Sequence, residues 1–136
     1  SYDFFESIML QREKQTIWLA KEILKHSKNR IIFILGKSFK TETNIVTGSP
    51  SIFLFNELKK ISKNKVFMWD PYVDNYSYEE VIKKNKLVKS KKVFFIGTKH
   101  EFFLKFQFPK DCIIIDPWRY IKNRQVKKLI EIGNNT

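Results

Sequence analysis

Four short apolar segments, each followed at once by a glycine or an aspartate, constrain the fold of this chain most strongly. They are rich in β-branched and aromatic residues and lack the alternation of apolar and polar residues that marks a strand with one solvated face. Continuous apolar segments of this kind are typical of parallel strands that are buried on both faces of a sheet. The segments are Ile31–Leu35, Val66–Trp69, Val93–Ile96 and Cys112–Ile115.

Helical segments separate these strands. Neither glycine nor proline interrupts the first 28 residues, which predicts a long opening helix. Ser49 before Pro50 predicts the start of a second helix, because serine caps free N–H groups and proline suits the first helical position. Ser77 predicts the start of a third helix in the same way. The predicted helices span Tyr2–Lys28, Pro50–Ile61, Tyr78–Lys84 and Asn123–Ile132.

The alternation of strands and helices predicts the fold class. It favours an α/β, Rossmann-like fold, in which a mostly parallel sheet carries helices on both faces and is preceded by a long helix. A length of 136 residues suits one domain with a proper core.

The charge of the chain is strongly positive, with 26 Lys plus Arg against 14 Asp plus Glu. Such an excess is one signal of nucleic-acid binding, since phosphate contacts dominate that interaction. The lysines are scattered in pairs, however, and arginine, which nucleic-acid readers favour for bidentate contacts, is rare. The composition therefore favours a solvated, lysine-rich surface over a nucleic-acid partner.

The compartment is predicted from cysteine content and hydropathy. Cys112 is the only cysteine, which excludes an internal disulfide and favours a reducing, cytoplasmic setting. No apolar segment approaches the roughly 20 residues of a membrane span, so no membrane partner is expected. Because the chain begins with Ser1 rather than methionine, we expect it to be either a trimmed form or a fragment of a longer protein.

The loops that follow the four strands are the predicted binding region. In an open parallel sheet, ligands bind outside the carboxyl ends of the strands, where these loops meet. Cations and a helix N-terminus at that edge suit a diphosphate, and aromatic rings suit a base. The loops are 36–40, 70–72, 97–100 and 116–119.

Simpler interpretations of single residues remain open. Asp70 and Asp116 precede prolines and could act only as strand terminators, since both residue types favour turns. His100 is predicted to be an exposed loop histidine with no second histidine nearby, so no metal site is expected. Cys112 is predicted to be a buried apolar residue rather than a nucleophile. The four glycines cannot form the G-x-G-x-x-G fingerprint of a dinucleotide site.

An ordered pattern runs through the loops that follow the strands. Its parts are Leu35 to Thr43, Ser49 to Ser51, Trp69 to Val73, Thr98 to Phe102, and Asp116. In order and spacing these segments resemble the carboxyl-terminal, UDP-binding domain of the UDP-glucose/GDP-mannose dehydrogenase family. Members typically read L-G-x-x-F-K-x-x-T-D-D-x-R-E-S-P, then D-P-Y, then T-x-H/W-x-x-F and finally D-G-R. The resemblance covers roughly residues 30–120.

The resemblance implies a division of roles. Residues 1–29 are similar in position to the end of the family's central dimerisation helix, and residues 30–136 to its UDP-binding domain. Family enzymes oxidise the C6 hydroxyl of a nucleotide sugar in two NAD-dependent steps, with NAD and the catalytic residues on other domains. We therefore expect this chain alone to hold neither a catalytic residue nor a cofactor. Its expected partners are a UDP-sugar, the remaining domains of the parent enzyme and, in a homo-oligomer, further copies of the chain.

The same resemblance implies the substrate-binding residues. Phe39 and Lys40 match the family's F-K pair, whose lysine contacts the substrate. Trp118 occupies the slot of the arginine in the last loop, and Arg119, one place later, is the best candidate for that arginine. We expect these four residues to contact the UDP-sugar.

The chain departs from the family pattern in one segment. Asn44 to Gly48 replaces the charged D-D-x-R-E residues that meet the rest of the family's active site. Two alternatives therefore stay open beside UDP-sugar binding. One is a non-catalytic relic or assembly module of the same fold, and the other is a basic nucleic-acid-binding domain.

Overall fold

Strands and helices alternate along nearly the whole chain. The computed structural model describes the backbone of residues 2–122 and 128–130 and the side chains of residues 11–122 and 130. The elements are α1 (Tyr2–Lys25), β1 (Ile31–Leu35), α2 (Pro50–Ile61), β2 (Val66–Trp69), α3 (Tyr78–Lys84), β3 (Lys92–Ile96), a short 3₁₀ helix (Glu101–Leu104), β4 (Cys112–Ile115) and β5 (Lys128–Ile130).

The described strands form one five-stranded parallel sheet in the order β2-β1-β3-β4-β5. The chain steps outward from β1 to β2 and then returns to the other side of β1 for β3. The strand order therefore reverses between β1 and β3, which makes the carboxyl ends of these two strands the topological switch point. The predicted α/β, Rossmann-like fold is confirmed.

Helices cover both faces of the sheet. On one face, Ala20 and Ile23 of α1 and Leu54 and Leu58 of α2 pack against the sheet and are almost completely buried. On the other face, α3 and the 3₁₀ helix pack over an aromatic cluster centred on Phe33. The two cores explain why the four apolar segments carry no polar alternation, since each residue of these segments packs in one core or the other.

The helix starts are set by the predicted caps. The Ser49 hydroxyl accepts the N–H of Ser51 at 3.2 Å, and the Ser77 hydroxyl accepts the N–H of Glu80 at 3.1 Å. Pro50 takes the first position of α2. Among the described residues no helix combines the length and the apolar composition that crossing a membrane requires.

Two helix predictions need correction. The opening helix ends at Lys25 rather than Lys28, because the backbone turns at residues 26–30 to enter β1. The helix predicted over Asn123–Ile132 is wrong at Lys128–Ile130, which form β5 beside β4. The rest of that predicted helix lies outside the described residues. Pairing with the exposed edge of β4 determines the conformation of this short segment, and local helical propensity does not.

Candidate functional site

A cavity of about 290 Å³ opens at the carboxyl ends of β1 and β3. It therefore lies at the topological switch point, where an open α/β sheet leaves a crevice for a ligand. Its lining is mainly apolar, and two half-exposed aromatic side chains, Phe39 and Trp118, stand on its walls. The N-terminus of α2, with Pro50 and Ser51, forms another part of the lining.

The cavity depends on glycines that bring backbone segments close together. Gly36 has a φ of 106°, a left-handed conformation that favours glycine, and a Cβ there would lie 2.5 Å from the amide nitrogen of Thr98. A Cβ at Gly97 would overlap the Ser51 hydroxyl and lie 2.9 Å from the carbonyl oxygen of Gly36. Gly97 thus allows the start of α2 to approach the end of β3.

Gly97→Ala is expected to lower the free energy of unfolding by about 1–3 kcal/mol, because the added methyl group forces α2 away from β3. Urea denaturation of the purified chain measures the loss. In the double variant Gly97→Ala/Ser51→Ala, part of the overlap disappears, so the combined loss is expected to be smaller than the sum of the single losses. Strict additivity of the two changes would contradict this account.

Asp70 is the centre of a buried hydrogen-bond network beside the cavity. Its carboxylate is fully buried and accepts the N–H groups of Lys37 at 2.6 Å, Ser38 at 3.0 Å and Tyr72 at 2.7 Å. Nε2 of His100 lies 2.9 Å from the same carboxylate. Burial acts to raise the pKa of Asp70, but the hydrogen bonds from His100 and the three amides outweigh it and lower this pKa to about 2. Asp70 therefore ties the loop after β1 to the loop after β3, and does more than terminate β2.

His100 is buried, so its prediction as an exposed loop residue is wrong. Its Nδ1 lies 2.9 Å from the backbone nitrogen of Glu42, and its Nε2 faces Asp70. The Ser38 hydroxyl also lies 3.1 Å from Nε2. In a nucleophilic triad the serine and the aspartate meet different ring nitrogens, whereas here both meet the same one. The group is therefore a structural network and not a hydrolytic site.

Asp116 organises the loop that carries Trp118. Its buried carboxylate accepts four successive N–H groups, at distances from 2.7 to 3.0 Å. The indole N–H of Trp118 donates to the carbonyl of Ile96 at 3.0 Å, which fixes the ring against the end of β3. Nζ of Lys99 lies 5.6 Å from the centre of the same ring, within cation–π distance. The result is a positioned aromatic wall with a cation beside it.

Solved structures with the same fold are known. The UDP-N-acetyl-mannosamine dehydrogenase from S. aureus superposes with a TM-score of 0.65 at 18% identity, covering 86% of this chain and 29% of that one. The UDP-D-ManNAc dehydrogenase from Pyrococcus horikoshii superposes with a TM-score of 0.65 at 24% identity, covering 86% of this chain and 30% of that one. The UDP-glucose dehydrogenase from Pyrobaculum islandicum superposes with a TM-score of 0.58 at 18% identity, covering 88% of this chain and 29% of that one. This chain shares its fold with UDP-sugar dehydrogenases.

The likeness lies in the fold and covers part of each enzyme. The chain spans less than a third of the length of these dehydrogenases. Neither a protein-family model nor a curated protein sequence matches it. The resemblance found in the sequence is thus confirmed by three-dimensional structure, at identities that show the fold alone.

The structure divides the four predicted substrate-binding residues into two pairs. Phe39 and Trp118 lie on the cavity wall. Lys40 and Arg119 are exposed in the same two loops at the same edge of the sheet, but they are not among the residues that line the cavity. Lys99, which sequence reasoning did not select, lines it; its place beside His100 in the T-x-H segment was the available signal.

The described residues do not fit a dinucleotide cofactor. Fourteen residues, 36–49, separate the end of β1 from the start of α2, so no short glycine turn leads directly from strand to helix. Such a turn places the pyrophosphate on the helix N-terminus in NAD-binding domains. Cys112 is buried as predicted, and burial raises the pKa of its thiol to about 12, which keeps it protonated and unreactive.

Proposed function

We propose that this chain binds the nucleotide of a UDP-sugar in the cavity between Phe39 and Trp118, as one domain of an NAD-dependent nucleotide-sugar dehydrogenase. The observation that carries the proposal is the position of this cavity. It lies at the switch point of a fold shared with UDP-sugar dehydrogenases, and its aromatic walls suit a base.

The charges around the cavity suit the diphosphate. Lys99 lines the cavity, and Lys40 and Arg119 are exposed in the flanking loops, where their long side chains can swing toward a bound phosphate. The Trp118 ring is held by its hydrogen bond to Ile96, so little side-chain freedom is lost when a base stacks on it. We assign base stacking to Phe39 and Trp118, and phosphate binding to the three cations.

Catalysis and NAD belong, in this proposal, to further domains of a cytoplasmic parent enzyme. The described residues contain no reactive thiol and no dinucleotide turn, so their part is to bind and orient the substrate. Residues 1–29 would join residues 30–136 to the remaining domains or to a second copy of the chain. Half-exposed Ile17 and Trp18 on α1 provide apolar surface for such a contact.

Calorimetric titration of the chain with UDP, UDP-glucose and GDP tests the proposal. UDP and UDP-glucose are expected to bind in the millimolar range or tighter. Trp118→Ala is expected to weaken UDP binding about tenfold or more, since stacking on one aromatic ring contributes about 1–3 kcal/mol. Lys40→Ala is expected to weaken it about threefold to tenfold through the lost phosphate contact.

Trp18→Ala is the matched control, because Trp18 is 43% exposed and Trp118 is 46% exposed, but Trp18 lies on α1 outside the cavity. UDP affinity is expected to be unchanged in this variant. The proposal would be contradicted if the unaltered chain gave no heat of binding at millimolar UDP, or if both tryptophan variants lost UDP affinity equally. Tighter binding of GDP than of UDP would contradict the choice of base.

The alternative of a non-catalytic assembly module is supported by one segment. Residues 44–48 are exposed and uncharged where the family pattern is charged. A chain with this change could retain the fold and lose the ability to bind the substrate. Sedimentation of the chain and of a Trp18→Glu variant separates the two roles. A dimer that dissociates in the variant, together with no UDP binding, would favour the assembly module.

A further inference from the structure

Lysines that are scattered in the sequence lie along one edge of the folded sheet. Each helix runs back to the amino end of the next strand, so the loops before β1, β2 and β3 meet at the edge opposite the candidate site. These loops are residues 26–30, 62–65 and 85–91, and together we call them the basic edge. Its exposed lysines are Lys28, Lys63, Lys65, Lys86, Lys89 and Lys91.

Among the residues whose side chains the structure describes, a single carboxylate forms ion pairs with the basic edge. None of its three loops contains an acidic residue. Asp111, in the next loop, lies 4.0 Å from Lys91 and 3.5 Å from Arg30. Lysines in the last turn of a helix complement the helix dipole, which accounts for Lys59, Lys60 and their counterparts in α3. The loop lysines have no such structural reason.

The loops of the basic edge are held in place by side-chain hydrogen bonds to backbone carbonyls. The Asn64 side chain donates to the carbonyls of Ser27 at 2.6 Å and Arg30 at 2.8 Å, which joins the first two loops. Nζ of Lys92 donates to the carbonyls of Leu87 at 2.7 Å and Ser90 at 2.8 Å, which shapes the third. The exposed lysines are therefore presented on a fixed surface, so little backbone order has to be gained on binding.

The third loop of the basic edge also carries an exposed apolar side chain. Val88 is 69% exposed, the largest exposed fraction among the large hydrophobic residues that the structure describes, and Lys86 and Lys89 flank it. Ile61, at the end of α2 beside the second loop, is 40% exposed. An exposed aliphatic residue surrounded by lysines is the arrangement found where a protein surface meets lipid headgroups.

We propose that the basic edge docks on the surface of an anionic lipid bilayer, with its lysines at the headgroups and Val88 at the boundary with the acyl chains. Duplex or single-stranded nucleic acid is the competing polyanion, but two observations favour lipid. Arg30, the one arginine of the basic edge, is buried against backbone carbonyls, so no exposed guanidinium can reach a phosphate. The three loops also contain no Phe, Tyr or Trp for base stacking, whereas they present an aliphatic tip.

Docking in this way leaves the candidate nucleotide site accessible, because that site lies at the opposite edge of the sheet. The sequence predicted no membrane partner because it contains no apolar segment long enough to span a bilayer. Docking at the bilayer surface requires no such segment, so this proposal replaces that expectation. The attraction comes from loop lysines, each of which contributes about fivefold in affinity near an anionic surface.

Co-sedimentation with vesicles tests the proposal. The chain is expected to bind vesicles of phosphatidylcholine with phosphatidylserine, not vesicles of phosphatidylcholine alone, and to dissociate at high salt. Lys86→Glu/Lys89→Glu/Lys91→Glu is expected to lower the vesicle affinity at least about 100-fold. Val88→Ser is expected to lower it about threefold to tenfold with no change of charge.

The matched control is Lys14→Glu/Lys21→Glu/Lys122→Glu, which changes the net charge equally at exposed positions outside the three loops. It is expected to keep most of the vesicle binding. The proposal is overturned if the unaltered chain does not bind anionic vesicles at physiological salt, or if both triple variants lose binding equally. Tighter binding to duplex DNA than to vesicles, insensitive to Val88→Ser, would assign the basic edge to nucleic acid and also overturn it. Thermal unfolding checks that each variant is folded. All substituted side chains are exposed, and the exposed Lys91–Asp111 pair is the one ion pair removed, so each midpoint is expected to lie within a few degrees of that of the unaltered chain.

Discussion

Asp70→Ala is expected to lower the free energy of unfolding by about 3–5 kcal/mol, because it removes the acceptor for several buried donors at once. The amides of Lys37, Ser38 and Tyr72 and the imidazole of His100 all bond to this carboxylate. The carboxylate is fully buried, so water cannot replace it without opening the edge of the sheet. Loss of Asp70 therefore releases two loops from each other.

Urea denaturation at neutral pH measures this loss. Asp70→Asn is the isosteric comparison. Its free energy of unfolding is expected to lie between those of the unaltered chain and Asp70→Ala, because the amide oxygen still accepts hydrogen bonds while the amide nitrogen faces other donors. Glu79→Ala, at an exposed position in the first turn of α3, is expected to change stability by less than about 0.5 kcal/mol. An Asp70→Ala loss as small as that of Glu79→Ala would contradict the role given to the network.

The same carboxylate predicts part of the acid sensitivity of the fold. Its pKa in the folded chain, about 2, lies below the ordinary value of 3.8. A lowered pKa contributes stability that is fully present above pH 4 and is lost as the pH falls through 4 toward 2. The contribution is about 2 kcal/mol, and Asp70→Asn is expected to reduce the pH dependence of the free energy of unfolding in that range.

Asp116→Ala has the second largest expected effect, and it acts on stability and on the candidate site together. Four N–H groups of residues 118–121 lose their acceptor, which is expected to lower the free energy of unfolding by about 2–4 kcal/mol. Trp118 sits in the loop that this carboxylate shapes, and Arg119 there has a φ of 58°, a left-handed conformation that a side chain rarely adopts unaided. Without Asp116 the aromatic wall of the cavity is no longer positioned.

Denaturation and nucleotide titration of Asp116→Ala separate these two effects. At a temperature where the variant is fully folded, UDP affinity is expected to fall about as far as in Trp118→Ala. Asp111→Ala is the control, since Asp111 lies at the other end of β4 and is expected to leave UDP affinity unchanged. Full UDP affinity in a folded Asp116→Ala chain would show that the loop keeps its shape without the carboxylate.

The sequence was sufficient to predict most of the secondary structure. The apolar runs from Ile31 to Leu35 and from Cys112 to Ile115 form strands with those ends, since each is buried on two faces and punctuated by glycine, aspartate or proline. Pro50 and Tyr78 begin helices because local capping decides where a helix starts. These features are determined by residues that are close in sequence, so they can be predicted from the sequence alone.

Features that depend on residues distant in sequence could not be predicted in the same way. The burial of His100 depends on Asp70 and on Ser38, which belong to other loops. The strand at Lys128–Ile130 depends on the free edge of β4. The basic edge likewise exists only after the sheet has brought three loops together. Sequence motifs pointed to Phe39 and Trp118 of the candidate site, whereas the open cavity between them could be recognised only from the fold.

The Asp70 network also has a consequence for the order in which parts of the molecule are expected to form. It joins positions 37, 70 and 100, which are separated by about thirty residues at each step, so closing it requires loops that only strand pairing can bring together. We therefore expect these hydrogen bonds to be completed after the folding transition state, so that weakening them accelerates unfolding more than it slows folding. We also expect the carboxyl edge to be able to open locally while the two apolar cores stay intact.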